Sequence, residues 1–144
     1  MAVGQHTSDL DVGDVLGPVD YTLSSFVVRE YAHANELHQP FFQGLRDDLV
    51  MPPTLIHLDK LRLYNAACPM GTGPSARIHY EYDCTVHEAV RAGQRVSVGG
   101  RVAERFEKRG RTHVVIEMEL RDKGDGRLLV SYRDTVLVAF KPKA

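Results

Sequence analysis

A chain of 144 residues, 43% hydrophobic and 26% charged, fits one globular domain that can bury a core without disulfides or metals. Its formal charge of -1, with no basic stripe, gives no electrostatic reason to expect a nucleic-acid partner. No signal-like apolar segment opens the chain and no apolar run nears the roughly 18 residues of a membrane span, so neither export nor insertion is signalled and a cytoplasmic location is expected. Cys68 and Cys84 show neither CxxC nor metal spacing and read as reduced thiols, with no metal expected.

Residues 1–12, "MAVGQHTSDLDV", have no clean periodicity and read as a loose lead-in to a single domain over 13–142. A strand is expected over 16–23, followed by a helix over 26–36, "FVVREYAHANE", capped by Ser24 or Ser25. Phe26, Arg29 or Glu30, Tyr31 and Ala34 form its expected inner face. The Pro-, Gly- and Asp-punctuated connection over 37–53 ends in Pro52 and Pro53, suited to the entrance of a second helix over 54–67. On that helix Leu55, Leu58 and Leu61 fall at steps of three on one side.

Beyond the loop "CPMGTGPS" the period changes to two. In "ARIHYEYDCTVHEAV", Ile78, Tyr80, Tyr82, Cys84 and Val86 alternate with His79, Glu81, Asp83, Thr85 and His87, the pattern of a half-buried strand. "RAGQ" turns the chain into a long strand with Gly99 and Gly100 as a bulge or bend. "RTHVVIEMELRD" sets Thr112, Val114, Ile116, Met118 and Leu120 on one face, "KGDG" is a hairpin turn, and "RLLVSYRDTVLVAF" is the last strand. Helices followed by an antiparallel meander predict an α+β fold with a helix on one face of a curved sheet.

The combination of "VGD" near the start, the central helix "MPPTLIHLDKLRLY", "VRAGQ" between strands and the "KRG" turn resembles the MaoC-like hydratase/dehydratase family. The resemblance implies a single hotdog domain, a curved antiparallel β-sheet wrapped around a central α-helix. It also implies substrates that are enoyl or 3-hydroxyacyl thioesters on coenzyme A or acyl carrier protein, no other cofactor, and a homodimer or a heterodimer with another hotdog subunit. The family's overhang reads roughly Asp-x-Asn-Pro-x-His, where a carboxylate and an imidazole hold one water and exchange its protons. Aligning its proline on Pro40 puts Leu37 at the acid position, Gln39 at the Asn position and Phe42 at the His position. Active members show His-Gly at the head of the central helix, where a backbone N–H meets the thioester oxygen; this chain has Pro52-Pro53, and proline has no N–H to give. The "MPPT" entrance instead resembles the non-catalytic hotdog halves that pair with an active half and shape its acyl tunnel.

Several residues remain as candidates for chemistry. Glu36 and His38 flank the expected acid position, and either reads equally as a solvated loop side chain. His57 and Asp59 lie off the Leu55/Leu58/Leu61 stripe and could form a relocated site, because thioesterases of this fold place a carboxylate on the central helix; the plainer reading is a polar helix side at a subunit interface. The resemblance makes Pro53, Thr54 and Tyr64 the expected substrate contacts. Lys108, Arg109 and Arg111 form a cationic hairpin tip, either solvated or meeting coenzyme A phosphates or a carrier-protein helix. The open functions are a supporting hydratase or dehydratase subunit, a diverged lyase, isomerase or thioesterase, and a non-enzymatic acyl-binding module.

Overall fold

The computed structural model describes residues 6–43, 49–69 and 78–138. The rest of the lead-in, the tip of the connection, most of the 68–75 loop and the last residues of the final strand lie outside the described residues, as do the side chains of Gln43, Ile56 and His57. A 3-10 turn at Thr7–Asp9 precedes β1 (Val15–Thr22), α1 (Ser25–Ala34), α2 (Pro40–Gln43), a second 3-10 turn (Pro53–His57) and α3 (Leu58–Ala67). The strands β2 (Ile78–Val86), β3 (Arg95–Lys108), β4 (Arg111–Asp122) and β5 (Leu128–Leu137) follow. All five strands form one antiparallel sheet in the order β1-β3-β4-β5-β2, and α3 packs on its inner face against β1 and β3. This is the expected hotdog fold.

Two glycines set how closely α3 approaches the sheet. A Cβ on Gly17, whose φ is +75°, would stand 2.7 Å from Leu63 Cδ2, and one on Gly100 would stand 2.6 Å from the Glu117 carbonyl and 3.4 Å from Leu63 Cδ1. Leu63 therefore seats against bare backbone on two neighbouring strands, with Tyr64 and Ala67 buried beside it. Gly99 and Gly100 are regular rungs of the β3–β4 ladder, and the irregularities fall instead between Val102 and Glu104 and, on β1, between Leu16 and Val19.

Both helix faces differ from their expected phase. In α1 the buried residues are Val28 and Ala32, while Phe26 is 69% exposed. In the central segment Leu55 is buried but Leu58 is exposed and Leu61 half-buried, and Asp59, Lys60, Leu63, Tyr64 and Ala67 face inward. The segment opens with a 3-10 turn at Pro53–His57 and becomes an α-helix at Leu58; there, residues three apart lie about 60° out of line, so a stripe at steps of three drifts off the face that Leu63, Tyr64 and Ala67 bury.

The strands are not a simple meander. The 87–94 connection carries the chain from one edge of the sheet, β2, to the strand beside the other edge. It is tied down on the way, with Met51 N–H donating to the Val90 carbonyl, Ala92 N–H to Leu49 and Gly93 N–H to Leu23, each at 2.7 Å. On β2 a bulge between His79 and Glu81 interrupts the predicted alternation, because one extra residue flips the side chains that follow. His79, Tyr82 and Cys84 consequently face the inner side, whereas Ile78 and Tyr80 stand out at 39% and 52% exposure. Thr7 and Leu10, read as part of the lead-in, are buried, and the Arg105 guanidinium donates to the carbonyls of Ser8 and Leu10.

Candidate functional site

The overhang is a helix end followed by a short helical turn. Ser24 caps α1, its side chain accepting from the Val27 N–H. At the other end Leu37 N–H donates to the Ala32 carbonyl and Glu36 N–H to the His33 carbonyl, the two bonds of a Schellman motif. Glu36 is its left-handed residue, at φ 56°, a conformation usually given to glycine. Glu36 and His38 point to solvent, and Leu37 is half-buried where the chain leaves the helix.

From there the chain enters α2, where Phe41 and Phe42 meet edge to face with ring centroids 4.5 Å apart. Val50 N–H donates to the Phe41 carbonyl, and the Tyr31 hydroxyl hydrogen-bonds Thr54, so α1 and α2 are both fastened to the head of the central helix. Between these pieces lies a mostly apolar depression of about 230 Å³ lined by Phe41, Phe42, Met51, Pro53, Val86 and Val90 together with His87 and Glu88. Of the expected substrate contacts, Pro53 thus borders this depression and Thr54 stands beside it. Tyr64 is fully buried in the core.

Behind the site, α3 carries two buried charges in succession. Asp59 is 0% exposed; the Tyr21 hydroxyl donates to its Oδ1 at 2.8 Å and Arg62 Nη1 to the same oxygen at 2.9 Å, with the guanidinium 4.0 Å from the Tyr21 ring centre. Burial pushes the Asp59 carboxyl above its ordinary range, while the Tyr21 hydroxyl, Arg62 and Tyr132 act the other way. Burial, and after it the nearby Asp59 charge, also pushes the Tyr21 and Tyr132 hydroxyls up. Asp59 Oδ2 and the Tyr132 hydroxyl are near enough to affect one another, yet neither completes a well-formed hydrogen bond among the described residues.

Lys60, 4% exposed, points the other way. Its Nζ lies 2.7 Å from His79 Nδ1 and 3.2 Å from Asp134 Oδ1, and Asp134 is fully enclosed. His79 Nδ1 is itself 3.2 Å from the same Asp134 oxygen, so its role as donor or acceptor follows the ring's tautomer. Neither Asp59 nor Lys60 lines one of the surface depressions described. Sequence periodicity missed this double pairing because Asp134 is 74 residues from Lys60 and the β2 bulge delivers His79. The side chain of His57, at the end of the 3-10 turn, is outside the described residues.

The remaining candidates, Lys108, Arg109 and Arg111, gather at the β3–β4 hairpin, where with Tyr80, His113 and Leu137 they line a second depression of about 240 Å³. Among the described residues, no group of three His, Cys, Asp or Glu side chains is placed to hold a metal ion, and no helix is long and apolar enough to cross a membrane.

The architecture as a whole defines a hotdog domain, and solved structures share this fold. The C-terminally truncated HadBC complex of Mycobacterium tuberculosis, a 3R-hydroxyacyl-ACP dehydratase, has a TM-score of 0.73 at 18% identity, with 88% of this chain and 96% of that chain covered. The (R)-hydratase of A. caviae involved in PHA biosynthesis has a TM-score of 0.71 at 16% identity, covering 92% and 100%. The ChsH1-ChsH2 complex of Mycobacterium tuberculosis has a TM-score of 0.68 at 16% identity, covering 90% and 98%. At such identities the likeness establishes the fold. No protein-family model matches the sequence, and no curated protein matches it.

Proposed function

We propose that this chain is a supporting hotdog subunit of a hydro-lyase acting on enoyl or 3-hydroxyacyl thioesters, lending wall and surface to a partner subunit that carries the acid and the base. The observation that carries this reading is the apolar depression at the overhang. Phe42, aligned with the imidazole position of active members, lines it together with Pro53, and Leu37, aligned with the acid, is packed where the chain leaves α1. A mostly apolar recess suits an acyl chain, and the two titratable side chains in its lining are already engaged, His87 with Ser131 and Glu88 with Arg127. Pro52 and Pro53 leave two positions without a backbone N–H at the helix head, where a thioester oxygen would need a donor.

The long outer strand β2 supports a partner. It is exposed along most of its length, with Ile78, Tyr80 and Val86 open to solvent, and an uncovered edge of this kind invites pairing with another sheet. Two of the similar folds, HadBC and ChsH1-ChsH2, are named as complexes. A relocated centre at Asp59 and His57 draws less support, since the Asp59 carboxylate is sealed and already bound by Tyr21 and Arg62. The experiment is co-expression with a hotdog subunit that bears the carboxylate–imidazole pair, followed by hydration assays on the complex. Phe42→Ala in this chain should shift the complex's preference among acyl chain lengths, and an unchanged preference would count against a wall at this position.

A further inference from the structure

We infer that the recess at the overhang takes an acyl group that ends in an aromatic ring. The inference rests on the reading of this recess as an acyl wall and adds the class of acyl group that fits it. The recess has a closed floor and open walls: Met51 and Val90 are 4% and 2% exposed, whereas Phe41 and Val86 stand 43% and 44% open and Phe42 is half-buried. At about 230 Å³ it exceeds the roughly 150 Å³ of an apolar cavity known to take benzene, so a ring and a short tether fill it. Backbone bonds fix its width, Val50 N–H donating to the Phe41 carbonyl and Met51 N–H to the Val90 carbonyl, each at 2.7 Å.

The walls favour a ring over an alkyl chain in two ways. Phe41 and Phe42 meet edge to face, with ring centroids 4.5 Å apart at 69°, and the open part of Phe41 offers a third ring the same geometry, which stabilises aromatic groups beyond the area they bury. Met51, in the floor, carries a polarizable thioether of the kind that favours contact with rings. The second way is entropic. An alkyl chain loses freedom about every bond when it is held in a blunt recess, while a phenyl group is already rigid over the same contact area. The titratable side chains of the lining do not oppose this occupant: His87 pairs with Ser131 and Glu88 with Arg127, so a ring enters without stripping water from an unpaired charge.

The test titrates 4-phenylbutanoate and 4-cyclohexylbutanoate, acids of equal carbon number and near-equal size, into the full chain and follows the protein's methyl and aromatic resonances by NMR. The phenyl acid should bind saturably and about threefold or more tighter than the cyclohexyl acid, although the latter is the more hydrophobic of the two. Phe41→Leu and Phe42→Leu, which keep an apolar wall, should bring the two affinities together, with thermal melts showing that both variants fold. In the complex with a hotdog partner bearing the acid–base pair, kcat/KM should favour trans-5-phenylpent-2-enoyl-CoA over trans-2-undecenoyl-CoA, and Phe42→Leu should reduce that ratio by about threefold. Ring preference in the isolated chain beside an inactive complex would overturn the supporting role and leave the aryl site standing. An active complex without ring preference would overturn the inference and leave the supporting role standing. The inference is overturned equally by the absence of saturable binding of the phenyl acid, by a cyclohexyl acid that binds as tightly, or by a preference that survives in both leucine variants.

Discussion

Glu36 and Arg109 occupy the left-handed region without being glycine, at φ 56° and 54°. Each substitution to glycine should stabilise the fold by roughly 1 kcal/mol, since the left-handed conformation costs other residues about that much, and denaturant midpoints would show it. For Glu36→Gly, a loss of stability would mean that the exposed carboxylate has work beyond the turn. Asp59 gives a pH-dependent prediction. Burial raises its carboxyl in the folded chain, so the folded state keeps that proton to higher pH than the unfolded chain. The associated stability is full below the ordinary aspartate range near pH 4 and is lost as pH rises through the folded value. Asp59→Asn should therefore match the wild type at low pH and exceed it near neutrality, with Arg62, its side chain 36% exposed, turning to water. Equal pH profiles for the two proteins would remove the strained carboxylate from the account. Sequence alone singled out Asp59 but placed it off the inner face, because a stripe at steps of three drifts around an α-helix, whose buried face is set by Leu63, Tyr64 and Ala67.

The junction of α3 with β1 and β3 is the least forgiving part of the fold. Leu63 packs where Gly17 and Gly100 have no side chain, so Leu63→Ala should cost about 2–5 kcal/mol, as buried leucine truncations do. Gly100→Ala drives a methyl to 2.6 Å from the Glu117 carbonyl and should lower the melting temperature by more than Gly99→Ala, whose Cβ finds nothing nearer than 3.8 Å. Equal effects would show that the sheet simply moves aside. Strand positions were legible because their alternation and turns are local signals. β1 lies within one residue of its expected bounds, and the 123–126 turn forms with Asp122 accepting from the Gly124 and Asp125 N–H groups. Strand neighbours were not legible. The "RAGQ" turn looks local, yet the connection around it crosses the sheet on bonds to residues 23, 49 and 51. The bulge that turns Tyr80 outward likewise leaves no mark in an alternating sequence.

For the whole molecule, the overhang motif was readable residue by residue, while the depression it forms depends on Val86 at the end of β2 and Val90 from the connection that follows. The same strand ends near Tyr80 in the hairpin depression, about 20 Å away at some 3.3 Å per residue. Antiparallel edge pairing through β2 would bring the hairpin of one subunit toward the overhang depression of the other. Ile78→Lys with Val86→Lys, two charges on that edge, should shift sedimentation from dimer toward monomer; an unchanged sedimentation coefficient would place the interface elsewhere. The most direct measurement of the supporting role is hydration of a trans-2-enoyl-CoA, followed as loss of enoyl-thioester absorbance, with the purified chain alone and then with a hotdog partner bearing the acid–base pair. The account predicts the uncatalysed rate from the chain alone and turnover in the complex above that of the partner by itself. Turnover by this chain alone, lost in Asp59→Asn or in Glu36→Gln with His38→Ala, would contradict it and place the chemistry within this subunit.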